Sequence, residues 1–391
     1  LYECTAVADA EAGLRRRVAR RLITNLETYD LESTAPLLAN PGRCTRHFSA
    51  ERWALFKHDL AWFRSRLPAE RWEALQRDHG YNPTPAWGIL GTLLASTGPA
   101  STGQIFALTL LDPALYWGTN YPAEFGWTGG SYLRDDWLAA TVIGLCLLRR
   151  GKMLGAGFLL GHAVLLRIFP VLALLAIGLK ALLEMGRERR LHVSREHRRL
   201  LLGALLALAT VLPASALVAG GFRPWMDFVH NMQLHAGTSG SNSMGLKTTL
   251  SYDPAARLEI LQTRDPNPGK AWKEARRSAF SKRRPVFFAL ALGFLALLVR
   301  ALYRQEDWAA GVLGLGAVPI LLEPACYYTS VLLAFGLLWT RREIVGAALC
   351  ALSVVVWAIA ASWYEWDDVF TWSSVAVALF VTFATAVMRR R

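Results

Sequence analysis

Lys152–Leu183 reads KMLGAGFLLGHAVLLRIFPVLALLAIGLKALL, 32 residues with one arginine near the middle and a lysine at each end. As a single straight α-helix it would run about 48 Å at about 1.5 Å per residue. The hydrocarbon core of a bilayer is only about 30 Å thick. A single helix would also carry the basic segment Arg187–Arg199 to the side opposite the other basic connectors. A break at Arg167-Ile168-Phe169-Pro170 removes both difficulties. Proline deletes a helical hydrogen bond and disfavours a helical residue before it. The sequence therefore predicts two short apolar arms that dip in and return, with a hairpin near 167–170.

The rest of the chain fits around this hairpin. Of 391 residues, 53% are hydrophobic and the mean hydropathy is +0.26, whereas soluble domains lie nearer 45–50% apolar. The apolar residues form nearly charge-free blocks, among them Trp87–Thr97, Trp137–Leu148, Leu200–Gly220, Val286–Val299 and Val369–Met388. The expected fold class is all-α, a polytopic transmembrane helical bundle of about ten or eleven spans. A net charge of +13 would suit a nucleic-acid partner, but the basic residues sit at the ends of apolar blocks, so no nucleic acid is expected. Arg149–Lys152, Arg187–Arg199, Arg300–Asp307, Thr340–Glu343 and the terminal arginines carry 16 Lys and Arg with few acids, which marks them as cytoplasmic. Trp117–Arg134 and Trp363–Asp368 are acidic and aromatic. Trp117, Trp127, Trp137, Trp363, Trp366 and Trp372 read as an interfacial belt.

Four regions follow. Residues 1–85 form an extracytoplasmic helical region in which basic and acidic residues nearly balance. Residues 86–220 hold the first helix set with its hairpin, 221–284 a long extracytoplasmic polar loop, and 285–391 the second helix set. The basic run Arg276–Arg284 falls on the wrong side for the positive-inside rule, an exception that long loops often make. The chain opens at Leu1 in a polar stretch, which suggests that a first span precedes it. The expected location is the bacterial inner (plasma) membrane, multi-pass, with the active site outside and membrane lipids around it.

Candidate chemistry gathers on the outer side. Arg167, inside an apolar hairpin, is costly enough to mark a function by default, and its planar fork suits a phosphate; snorkelling to the interface is the plain alternative. Arg134-Asp135-Asp136 opens a span, either capping it or offering a metal ligand or base. Asp78, His79, Tyr81 and Asn82, with Gly80, Pro83 and Pro85, make a turn at the mouth of the bundle. Asp59 follows His58 in a helix expected over Ala50–Arg66, whose Trp53, Phe56, Trp62 and Phe63 read as core. Asn231, His235, Asn242 and Lys247 lie in the long loop, as solvated residues or as a mobile lid over a bound substrate. Glu323-Pro324 joins two apolar spans ahead of Tyr327-Tyr328. Cys4 and Cys44 suit a disulfide in an oxidising compartment. No zinc spacing, P-loop, Rossmann fingerprint or nucleophile elbow occurs, which argues against a nucleotide-driven enzyme.

Four stretches carry a resemblance: Gly80–Gly91 (GYNPTPAWGILG), Arg134–Arg167 with its Ile168-Phe169-Pro170 continuation, Asn231–Tyr252 (NMQLHAGTSGSNSMGLKTTLSY) and Glu323–Leu333 (EPACYYTSVLL). In pattern the chain resembles the GT-C class of polytopic glycosyltransferases, in particular the mannosyltransferase-like glycosyltransferase family 87. The resemblance implies a polyprenyl-phosphate sugar donor, a lipid, glycan or protein acceptor, and transfer with inversion on the outer face. It implies an acidic base, ranked here as Asp78, Asp59 and Asp135, or an acid before Leu1. Arg167, Arg134 and Lys247 would hold the donor phosphate. His79, Tyr81, Asn82, Asn231, His235, Asn242 and Glu323 would contact substrate, with a divalent metal ion as an open option. The enlarged 1–85 region departs from the family pattern. A lipid or solute transporter would instead show inverted repeats and midplane charges, and no repeat is visible. A non-catalytic assembly protein would tolerate changes at Asp78 and Arg167.

Overall fold

A computed structural model describes residues 2–28, 30–78, 84–89, 136–189, 192–236, 239–265, 267–363 and 365–389, without the side chains of 234–236. It divides into two compact units, Leu1–Asn82 with His230–His235, and Pro83–Val229 with Ala236–Arg391.

The first unit is helical with one departure from the all-α expectation. Leu22–Thr24 and Leu31–Ser33 pair as an antiparallel hairpin, with Ile23 opposite Glu32. Helices Tyr2–Asp9, Ala35–Ala39, Gly42–Thr45, Ala50–Arg64 and Ala69–Ala74 accompany it. Ala6, Val7, Val18, Ile23, Leu37, Leu38 and Cys44 make a small core, and Cys4 and Cys44 are joined as a disulfide. Ser49 starts Ala50–Arg64 by accepting the Arg52 amide at 3.2 Å, as an N-cap does. That helix buries none of its residues. Trp62 and Phe63 are 49% and 52% exposed, so the expectation that they are core is corrected: the small core is already filled by the neighbouring helices. Inside the unit, the buried Asp9 carboxylate accepts from Arg21 Nη1 and Arg64 Nη1, both at 2.7 Å, and Trp72 Nε1 at 2.8 Å.

The second unit is a helical bundle. Among the described residues four helices are long and apolar enough to cross a membrane: Arg195–Val218, Pro268–Leu302, Glu343–Ser362 and Trp366–Arg389. Met153–Leu166, Asp307–Leu321 and Cys326–Thr340 are apolar but shorter. The chain is a mostly helical membrane protein. Met153–Leu166 ends before Arg167, whose backbone is extended, and Val171–Glu188 begins after Pro170. Cys326–Thr340 is a 15-residue 3₁₀ helix, mostly buried. At about 2.0 Å per residue it extends about 30 Å, where an α-helix of that length would reach about 22 Å.

Close packing in the bundle rests on small residues. A Cβ added to Gly157 would lie 1.9 Å from the Leu200 carbonyl oxygen, and one on Gly203 would lie 2.1 Å from that of Leu154. Met153–Leu166 and Arg195–Val218 thus touch backbone to backbone, the usual device where lipid offers no hydrophobic drive for association.

Residues 221–284 are not the loop expected. Arg223–Ala236, Leu246–Ser251, Leu258–Gln262 and the first half of the 35-residue helix Pro268–Leu302 occupy it. Asn267 caps the long helix by accepting the Lys270 amide at 3.3 Å, and Pro268 takes the first turn, where its missing N–H costs nothing. The basic connectors are tied together around Asp307, which Lys180 reaches at 2.8 Å and His197 Nε2 approaches to 3.2 Å. Arg341 pairs with Glu306.

Candidate functional site

The turn between Val318–Leu321 and Cys326–Thr340 is the centre of a buried polar network. Glu323 receives Lys247 Nζ at 2.7 Å. The Thr248 and Ser239 hydroxyls donate to it, each at 3.2 Å. Arg276, on the long helix, lies 3.6 Å from Glu323 on one side and 3.6 Å from Asp367 on the other. Asp367 also accepts from Trp272 Nε1 at 3.0 Å and from the Leu258 amide at 2.8 Å. Its neighbour Asp368 accepts from the Tyr252 hydroxyl and from Arg257 Nε, the latter at 3.1 Å. Arg276, Asp367 and Asp368 are each 5% exposed or less. Three cations thus face three carboxylates, which is what burying charge demands.

Backbone contacts hold Ser243–Gly245 against this turn. The Met244 amide donates to the Pro324 carbonyl and the Cys326 amide to that of Asn242, both at 2.8 Å. Gly245 has φ +134°, and a Cβ there would lie 2.6 Å from the Leu322 carbonyl oxygen, so only glycine fits. The lid reading is corrected on this point. Asn242 and Met244 are fastened to 324–326 by backbone hydrogen bonds, and Lys247 to Glu323 by its side chain.

The same turn reaches Arg167. Tyr328 lies with its ring centroid 5.7 Å from the Arg167 guanidinium carbon, and its ring packs on Phe169 at 4.7 Å and Trp137 at 6.0 Å. Arg167 is half-buried; Nη1 donates to its neighbour Leu166's carbonyl at 3.2 Å, and its buried Nε has no acceptor among the described residues. No carboxylate pairs with it among those residues.

The expected residues therefore divide. Arg167, Asn242, Lys247 and Glu323 gather on one turn and its surroundings. Asp59 and Asp78 belong to the first unit; Asp59 is exposed and lies 3.4 Å from His58. Asn231 and His235 group with that unit as well, the side chain of His235 lying outside the described residues. Arg134, Asp135, His79, Tyr81 and Asn82 also lie outside them. Among the described residues no three His, Cys, Asp or Glu side chains converge as a metal site requires. Arg257, Trp272, Arg276, Asp367 and Asp368 were not anticipated. The one signal for Arg276 was that its basic run broke the positive-inside rule: buried between two carboxylates, it is not a loop charge.

At the edge of the network, burial and the bond to Asp368 raise the Tyr252 phenol above its ordinary range. The bond to Tyr252 and the charge of Asp368 hold the Arg257 guanidinium firmly protonated. Burial, then the nearby Glu365 carboxylate, lifts Glu259 above the ordinary value of 4.5. A raised carboxyl contributes its full stability below the unfolded value and loses it as pH rises through the folded value. Glu259→Gln is therefore expected to raise the melting temperature at neutral pH, with the gain vanishing below 4.5. Thermal melts in detergent across that range test it; a pH-independent gain, or none, would contradict the assignment.

Chemically, Arg167 offers guanidinium N–H groups that no carboxylate among the described residues engages, while every carboxylate of the network has a partner. No family model, curated protein or solved structure matches the chain.

Proposed function

We propose that the chain is a membrane glycosyltransferase of the GT-C type that takes a hexose, in the first instance mannose, from a polyprenyl-phosphate donor. The observation that carries this reading is Arg167: an arginine at a break between two apolar helices, stacked near Tyr328 and without a carboxylate partner among the described residues. An unpaired cation at such a place fits a lipid-borne phosphate, whose tail would lie among the helices. Lys247, about a quarter exposed, is the network cation placed to exchange Glu323 for the donor. The base is drawn from Asp78, Asp59 and Asp135, and the acceptor is a lipid, glycan or protein. The Cys4–Cys44 disulfide supports an oxidising compartment for the first unit, hence an outward-facing site in the plasma membrane of a bacterium.

A second reading, a non-catalytic assembly protein, draws on the self-neutralised network, in which Lys247, Arg257 and Arg276 all have acidic partners. Transfer in proteoliposomes separates the two. The protein is reconstituted with radiolabelled polyprenyl-phosphate mannose and a membrane lipid extract. Label is expected to move to an acceptor. No movement from mannose or any other common prenyl-linked sugar would sink the transferase reading and favour assembly.

A further inference from the structure

The first unit holds a second cationic feature, independent of the transferase reading. Over Leu1–Pro85, 13 Arg and Lys face 11 Asp and Glu, yet the fold does not mix them evenly. Arg16, Arg17, Arg20, Arg21 and Arg77 line one cavity of about 420 Å³, with Glu73 as its single carboxylate among the described residues. The run RRRVARR at Arg15–Arg21 supplies four of them, and the turn after Ala69–Ala74 supplies Arg77. Arg21 is the floor. Its side chain is 1% exposed and is held by Asp9 at 2.7 Å and Gln76 at 2.9 Å. Its Nε has no acceptor among the described residues. Glu73 serves Arg17 and reaches Arg21 Nη2 at 3.5 Å. Arg16, Arg20 and Arg77 stand on the walls, exposed, with no acidic partner among the described residues.

We propose that this cavity is a binding site for a phosphate-bearing anion, either a free phosphate compound or a phospholipid headgroup. Asp9 and Glu73 answer Arg21 and Arg17, and an anion between these and the three wall arginines would offset the remaining repulsion. All five basic residues are arginine and none is lysine, and the guanidinium fork matches phosphate oxygens two at a time. The volume falls within the range of small-molecule pockets, about 300–1,000 Å³, so it admits more than a bare phosphate ion.

The test uses the purified whole chain in detergent, with two probes: radiolabelled inorganic pyrophosphate and a water-soluble short-chain phosphatidylglycerol. Arg16→Gln with Arg20→Gln removes two wall charges that make no side-chain bond among the described residues. Arg52→Gln with Arg71→Gln removes two exposed charges outside the cavity. Saturable binding of either probe is expected, weakened at least about tenfold by the wall pair, as the loss of two charge-assisted contacts implies, and little by the control pair. The probe bound more tightly identifies the source. Absence of saturable binding for both probes, or equal weakening by the two pairs, would overturn the proposal. Near-ultraviolet circular dichroism shows that the variants keep the parent's packing.

Discussion

Arg167→Ala is expected to lower sugar transfer by about 10²–10³-fold, the usual loss when one preorganised donor to developing charge is removed. On the proposed transferase reading, the leaving prenyl phosphate would gain charge and the Arg167 guanidinium would stabilise it. Phe169 and Tyr328 pack together at 4.7 Å beside Arg167, so the group is positioned before substrate arrives. In the low dielectric at the edge of a bundle such a contact is worth more than in water. Arg167→Lys keeps the charge but loses the fork and should recover only part of the rate. The measurement is initial transfer rate in proteoliposomes at matched protein content. Transfer by Arg167→Ala at the parent's rate would remove Arg167 from the donor site and leave it as an interfacial charge. Its folding should be unharmed, because among the described residues the hydrogen bond it makes is to the adjacent Leu166 carbonyl.

The second large effect is on stability. Asp9→Ala should destabilise the first unit by about 3–5 kcal/mol, the cost of leaving a buried charge without its partner. Asp9 is fully buried and ties together residues far apart in sequence: Arg21 and Trp72 on one oxygen and Arg64 on the other. Alanine strands the Arg21 guanidinium in the interior with Gln76 and the more distant Glu73. A small domain has only about 5–15 kcal/mol in all, so this loss approaches unfolding. Urea titration followed by Trp72 fluorescence in an otherwise tryptophan-reduced background measures it. A shift no larger than that of a surface control such as Glu51→Ala would show that the carboxylate is dispensable.

Parts of this structure were legible in the residues alone. The interruption at Arg167–Pro170 was, because an apolar run too long for the membrane and a proline both act over a few neighbouring residues. So was the helical, membrane-bound character of the chain. The helices within 221–284 were less so. Their polar composition resembles a loop, and what stabilises them is a buried face supplied by other segments, as for Trp272 and Arg276 on Pro268–Leu302. The 3₁₀ winding of Cys326–Thr340 likewise has no mark in a uniformly apolar sequence.

The candidate site divides in the same way. Arg167 and Glu323 were recognisable one at a time, as charges set among apolar spans, and Lys247 only as a cation of a polar loop. Their pairing was not: Glu323 meets Thr248 and Ser239 across 75 and 84 residues, and Asp367 meets Trp272 across 95. The near balance of charge over residues 1–85 also concealed five arginines around one cavity. Hydrophobicity, proline and caps are local terms, so the sequence by itself determined where apolar helices run and where they break. Which charges neutralise one another, and which have no carboxylate partner among the described residues, depends on distant segments being packed together, and only the tertiary structure decided that.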